Sequence, residues 1–338
     1  MNEKIVLPFE INPLSVMYHN LAFPLGVIQG NAKCDITPWL CHKLINCFFR
    51  PAAMNKFSIS LFDNWGIGDK ITFHQQIQLL YDTYDIIGID IIKVLTNMLA
   101  NGYYVGGLYN EEYIPGKQTY GVGYFSHDYL LIGFDNEKEV FHSVGYLTKY
   151  FVDYEIPYTN MRMALASLAN RKPVFNFYQY NTEIGMTVNV EKILSALQDY
   201  LTSSNSHQQY TEGVFYGLDA IDELGEYYVS HGNQNNFDHR YTRGLMEHKN
   251  IMLRTIKYLC NHQYITDNEY ISRSESVFQY SSIIHNLGIR FKLLGNYNIL
   301  QEIRSIFQKM RELELSYLVS VKKDLELYNE ANKVEISQ

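Results

Sequence analysis

All eight prolines of this 338-residue chain lie at or before Pro173, and 13 of its 21 glycines lie before residue 150. Proline removes a backbone N–H and clashes with the preceding helical turn, so a long stretch without it is open to long helices. Beyond residue 185 apolar residues recur at spacings of three and four. Five stripes follow one another, opening at Val190, Val214, Tyr241, Val277 and Ile303. The last runs Ile303, Phe307, Met310, Leu313, Tyr317, Val321. One buried face per helix predicts a helical bundle. The change of pattern places a domain boundary near 173–188, after a strand at Val174–Tyr180.

Before that boundary the punctuation is dense and the elements are shorter. Asn12-Pro13 is a helix start, with Asn as cap and Pro in the first turn, for a helix over 15–28 that Pro24 kinks or ends. A second helix over 39–49 has Pro38 in its first turn. A short strand covers 57–62, and helices are predicted at 73–84 and 88–101, the latter stopped by Gly102. The sheet then begins at 103–108. It continues through a hairpin whose first strand carries Tyr129, Leu130, Leu131, Ile132 and Phe134, whose turn is 135–138, and whose return strand carries Val140, Phe141 and Val144. A strand near 150–153 and a helix over 160–169 follow. Helices first and an antiparallel sheet afterwards predict an α+β class.

Composition narrows the function classes. The formal net charge is −8 and Lys322-Lys323 is typical of the longest basic runs, so nucleic acid is an unexpected partner, since phosphate contacts need a clustered positive face. The cysteines Cys34, Cys41, Cys47 and Cys260 show neither CxxC spacing nor histidine pairs at zinc-finger spacing, and no metal or cofactor is expected. MNEKIVLPFEINP has no apolar signal core, and no run of 18 apolar residues exists, so the expectation is a reduced, cytoplasmic protein without a membrane span. Gly121-x-Gly123 has no following helix and no third glycine, so it is not a dinucleotide fingerprint. There is no phosphate loop, HExxH or GxSxG motif.

One titratable residue stands where the apolar hairpin strand begins. His127 at a strand mouth is held rigidly while its ring stays reachable, which suits a general base; the same position also suits a histidine that merely hydrogen-bonds a strand end. His19, on the first helix, either faces His127 across a cleft or caps a helix–sheet contact. Tyr103, Tyr104, Tyr120, Tyr124 and Phe125 either wall a pocket or pack the sheet.

An N-terminal helix pair followed by a His-led strand ending Gly133-Phe134-Asp135 resembles the papain-like fold of bacteriocin-processing cysteine peptidases. More narrowly, HDYLLIGFD (127–135), YEIPYTNMRMA (154–164) and NPLSVMYHNLAFPLGVI (12–28) resemble the butirosin biosynthesis protein H N-terminal domain family. The resemblance covers roughly residues 10–170. It implies a papain-like domain over 1–180, with helices packed on an antiparallel sheet, followed by an all-helical domain over 181–338. It also implies an accessory role in carrier-protein-dependent natural-product biosynthesis. The reaction expected is transfer of an acyl group from an acyl or peptidyl carrier protein to a small-molecule amine. The alternatives are a non-catalytic scaffold for a carrier protein or product, and a cysteine peptidase-like hydrolase.

The chain departs from the family at the nucleophile. Catalytic relatives start the first helix with cysteine; the matching turn here reads Ser15-Val16-Met17-Tyr18-His19. The third triad position, on the return strand, falls near His142 or Ser143, neither a carboxylate nor an amide. Of the triad only His127 remains. Ser15 lies in the matching turn without a nucleophile signature, and Cys34, before the second helix, comes one helix too late. A carrier thioester is already activated, so an amine can attack it directly with His127 as base and helix N-terminal amides at the oxyanion. A basic docking face for an acidic carrier is expected on one helix from His239, Arg240, Arg243, His248, Lys249 and Arg254.

Overall fold

The computed structural model describes residues 3–51, 56–59, 73–80, 88–168, 174–180, 182, 187–206, 212–235 and 237–336. The chain divides into two compact units, 1–33 with 64–184, and 34–63 with 185–338.

The first unit is built on a seven-stranded antiparallel sheet. Its order is β4 (Phe73–Leu80), β9 (Val174–Tyr180), β5 (Tyr103–Asn110), β6 (Ser126–Asp135), β7 (Val140–Leu147), β8 (Tyr150–Pro157), and β1 (Lys4–Val6) pairs with β6. Strand β6 is the centre. On one edge β5 pairs with Ser126 through Leu131 and β1 with Gly133 through Asp135; on the other edge β7 pairs. Both faces of β6 are covered, which is why its sequence is a continuous apolar run instead of an alternation. Tyr129 and Leu131 pack with α3 (Ile91–Ala100) and α4 (Tyr158–Ala166), whereas Leu130 and Ile132 pack with Phe23 and Val27 of α1 (His19–Asn31). A register shift between Leu131 and Gly133 then turns Phe134 to the α3–α4 side. Gly133 is required there: a Cβ would lie 2.3 Å from the carbonyl oxygen of Ile5 as β1 crosses it.

The second unit is helical except for a three-stranded sheet, β2 (Cys47–Arg50) between β10 (Phe215–Tyr216) and β3 (Lys56–Ile59). Its helices are α2 (Thr37–Lys43), α5 (Val190–Leu201), α6 (Gly217–His231), α7 (His239–Asn261), α8 (Glu269–Leu294) and α9 (Asn298–Ile336). Cys41, Ile45, Cys47 and Phe49 share its core with Ile221, Tyr241, Leu245 and Met310. The expected all-helical second domain is therefore corrected in two respects. It contains strands, and the segment 34–63 belongs to its compact unit. The cause is long-range pairing: Phe49 lies opposite Phe215, and the His248 ring meets the Ile45 carbonyl oxygen at 2.7 Å.

Other elements differ in detail. The segment expected as a helix over 73–84 is strand β4 up to Leu80, with 81–84 outside the described residues. Its antiparallel ladder with β9 overrides the helical leaning of the Gln-rich FHQQIQLL. The second helix ends at Lys43, and from Cys47 the segment is strand β2. Helix α1 runs through Pro24 to Asn31. The strand expected at 57–62 is seen as β3, and 60–62 fall outside the described residues. Among the described residues no helix is long and apolar enough to cross a membrane.

Candidate functional site

At one end of the first unit's sheet, β5 and β7 finish and β6 and β8 begin, and the N-terminus of α1 arrives at the same place. Residues from all of these elements meet there. His127 is the second residue of β6, opposite Tyr109 in the β5 ladder. The chain leaves β5 at Asn110, whose side-chain oxygen accepts from the N–H groups of Glu112 and Phe125. Glu111 and Phe125 close the mouth of this turn, the Glu111 N–H donating to the Phe125 carbonyl at 2.8 Å. The turn therefore fixes Glu111 beside the start of β6.

Glu111 Oε1 lies 2.8 Å from His127 Nδ1 and 3.3 Å from the Lys117 ammonium. Lys117 also donates to the Tyr146 carbonyl at 2.6 Å and sits 5.0 Å from the centre of the Tyr154 ring. Burial alone would raise the Glu111 carboxyl. The hydrogen bond from His127 and the Lys117 charge outweigh it and hold Glu111 below the usual carboxylate range. An ionised Glu111 has no proton to offer, so Nδ1 of His127 is the donor and Nε2 of the neutral ring is left as the acceptor. The His127 side chain is 36% exposed while Glu111 and Lys117 are buried, so the imidazole is the reachable member of the three.

His19, the first residue of α1, lies against His127 with ring centroids 4.7 Å apart. Its other neighbours are Phe23, stacked at 4.5 Å, and Tyr146 at 5.9 Å. Burial first, and then the nearby His127 and Lys117 charges, lower the His19 ring to about 3, so it is neutral at any ordinary pH. Both its ring nitrogens are buried without a hydrogen-bond partner. Tyr146 ties the turn before α1 to the sheet, its hydroxyl donating to the Val16 carbonyl at 2.8 Å.

The structure thus brings His127 and His19 together. Ser15 is buried. Cys34 is an exposed free thiol of the second unit. Ser143, expected near the third triad position, is buried and donates to the Leu130 carbonyl, and His142 pairs across from Gly133. The carboxylate beside His127 comes instead from β5. Of the aromatic candidates, Tyr104 is a core residue whose hydroxyl donates to the Pro8 carbonyl, while Tyr120, Tyr124 and Phe125 are exposed. Phe125 lies 5.5 Å from the His127 ring. Among the described residues no three His, Cys, Asp or Glu side chains converge to hold a metal ion.

Of the six residues expected to form a basic face on α7, two lie inside the bundle. His248 and Lys249 are buried, Arg243 pairs with Glu247, and Arg240 pairs with Asp238. His248 and Lys249 continue the apolar stripe of Leu245 and Met252 and point into the bundle, whereas His239, Arg240 and Arg254 are exposed. Glu111 was missed because its partner is set by strand register. The one local signal is Asn110-Glu111-Glu112 directly after a strand, an Asx-capped acidic turn. No protein-family model matches the chain, and no curated protein matches it.

Proposed function

We propose that the first unit is a papain-like acyl-transfer module that joins a carrier-protein-bound acyl group to a small-molecule amine. The observation that carries this reading is the 2.8 Å contact of His127 Nδ1 with a buried, ionised Glu111, which leaves Nε2 on the accessible side as a base. An amine attacks the thioester carbonyl and passes a proton to Nε2. Glu111 stabilises the resulting imidazolium, and Lys117 pairs with the same carboxylate. The C–S bond then breaks and the departing thiolate takes the proton from His127. Amide groups at the N-terminus of α1 face developing negative charge on the carbonyl oxygen, because the first turn of a helix carries unpaired N–H donors.

No covalent acyl-enzyme is part of this scheme. None of the four cysteines lies in the turn that leads into α1. Burial pushes Cys41 and Cys47 up to about 12 and raises Cys260 as well, which leaves them poor nucleophiles. The test is aminolysis of an acyl-pantetheine thioester with a panel of amines, followed by product and intact-protein mass. Amide formation without an acyl adduct, and insensitive to iodoacetamide, is the expected result. An adduct on Cys34 would restore the peptidase-like mechanism. Carrier binding without turnover by any amine would leave a scaffold.

A further inference from the structure

The proposed reaction leaves one polar side chain of the site without a task. His19 is 7% exposed, and neither of its ring nitrogens has a hydrogen-bond partner. A neutral imidazole always carries one N–H donor and one acceptor nitrogen, and a buried donor left unmade keeps its desolvation penalty. Packing explains the ring's place between Phe23 and Tyr146 but not its polarity, since a phenylalanine would stack there without that penalty. His248, a fully buried histidine of the second unit, does find an acceptor for one ring nitrogen in the Ile45 carbonyl. His19 is also the first residue of a 13-residue helix. In that first turn the Leu21 and Ala22 N–H groups turn back to the Tyr18 carbonyl. An unpaired side-chain donor and the positive end of α1 therefore lie together, beside the ring of the proposed base.

We infer that His19 is a second catalytic group of this site, its ring N–H donating to the carbonyl oxygen of the acyl thioester as that oxygen becomes an oxyanion. The inference rests on the acyl-transfer reading and adds the electrophile to it. As the amine nitrogen bonds to the carbonyl carbon, the C=O π pair moves onto oxygen and accepts the hydrogen bond. When the oxyanion collapses, the C–S bond breaks, the thiolate takes the proton held by His127, and His19 returns unchanged. The two imidazoles thus divide the work. His19 stays neutral over the working range and donates a hydrogen bond without transferring its proton, while His127 accepts and returns one. Gly145 borders the donor. Its φ is +151°, and a Cβ there would stand 3.4 Å from His19 Nε2, in ordinary contact with the ring edge. Such catalytic hydrogen bonds form their final geometry only with substrate in place.

Two measurements test this. In steady-state aminolysis of acyl-pantetheine, His19→Phe should lower kcat by roughly 10²–10³-fold, the range for one lost oxyanion donor, with KM and the shape of the pH profile kept. His19→Gln, which restores an N–H donor, should recover much of the loss. An unchanged kcat in His19→Phe overturns the inference. The second measurement needs no turnover. The ketone analogue of acyl-pantetheine, with CH2 in place of sulfur, is titrated into uniformly 15N-labelled protein, and the ring signals of both histidines are followed. A downfield move of the His19 N–H proton supports the assignment. Should the analogue move the His127 signals alone, His19 is not the donor and the acyl-transfer reading stands. Should it move neither, the site does not receive an acyl thioester and both readings fall.

Discussion

Each unit of this chain buries a glutamate next to a lysine, and the two clusters are finished differently. In the second unit Glu314 of α9 meets Lys249 of α7 at 2.7 Å, both side chains fully buried. Tyr200 of α5 donates to Glu314 at 2.9 Å and receives the Lys249 ammonium at 2.6 Å. Acid, base and hydroxyl are mutually satisfied, and burial with the adjacent carboxylate raises Tyr200 well above its usual range. In the first unit Glu111 is shared between a buried Lys117 and a half-exposed His127, and a neutral imidazole with no partner lies alongside. A closed cluster locks three helices into register. An open one leaves an accessible proton acceptor and an unused donor. The number of buried charges therefore does not separate a structural cluster from a working one; the groups left over do.

The largest effect should come from opening the closed cluster. Lys249→Met strands the buried Glu314 carboxylate and is expected to destabilise the second unit by about 3–5 kcal/mol in denaturant titration. Adding Glu314→Leu removes the stranded charge and should recover most of that loss. A Lys249→Met protein of unaltered stability would mean that the pair is not buried as described.

The corresponding change in the open cluster should act on chemistry. Glu111→Gln keeps the size of the side chain and can still accept from Nδ1, but it no longer stabilises the imidazolium. Turnover should fall at least about 10-fold, part of the roughly 10²–10⁴-fold that a general base contributes. The substitution also leaves Lys117 without its ion pair, so unfolding is measured in parallel to separate the two effects.

A third effect is on pH dependence. His19 and His248 are both held neutral in the fold, one in each unit, with folded values below the ordinary 6.5. Below 6.5 the unfolded chain takes up protons that the folded chain refuses, so stability falls as pH falls and is flat above. For His19 the window closes near 3. Each ring should contribute a slope of up to about 1.4 kcal/mol per pH unit. His19→Phe should remove this slope from the first unit between pH 6 and 4 and leave that of the second unit intact, as read by calorimetric unfolding across that range.

What could be read from the chain follows the reach of the interactions involved. The buried strand β6 and the five helices beyond residue 185 are legible because apolar period reports burial one element at a time. Strand β4 is not, because the glutamines of FHQQIQLL favour a helix until the ladder with β9 is formed. The placement of residues 34–63 depends on Phe49 lying opposite Phe215, a contact that no local pattern announces. Within the site, His127 is visible as a titratable residue at a strand start and His19 as one on the first helix. Glu111 is not, since its role follows from the register that sets Tyr109 opposite His127. Glu314 and Lys249 mark an opposite error. Each stands in the apolar stripe of its helix, where charge suggests a surface and spacing suggests the core, and spacing prevails.

The contrast between a working and a structural cluster is tested most directly by His127→Ala, with turnover and stability measured on the same preparation. The half-exposed ring contributes little to packing, so thermal unfolding should move little while aminolysis of acyl-pantetheine falls by roughly 10²–10⁴-fold. Retained turnover, or turnover lost only in step with a large fall in thermal stability, would show that the Glu111–His127 cluster is as structural as the Lys249–Glu314 one.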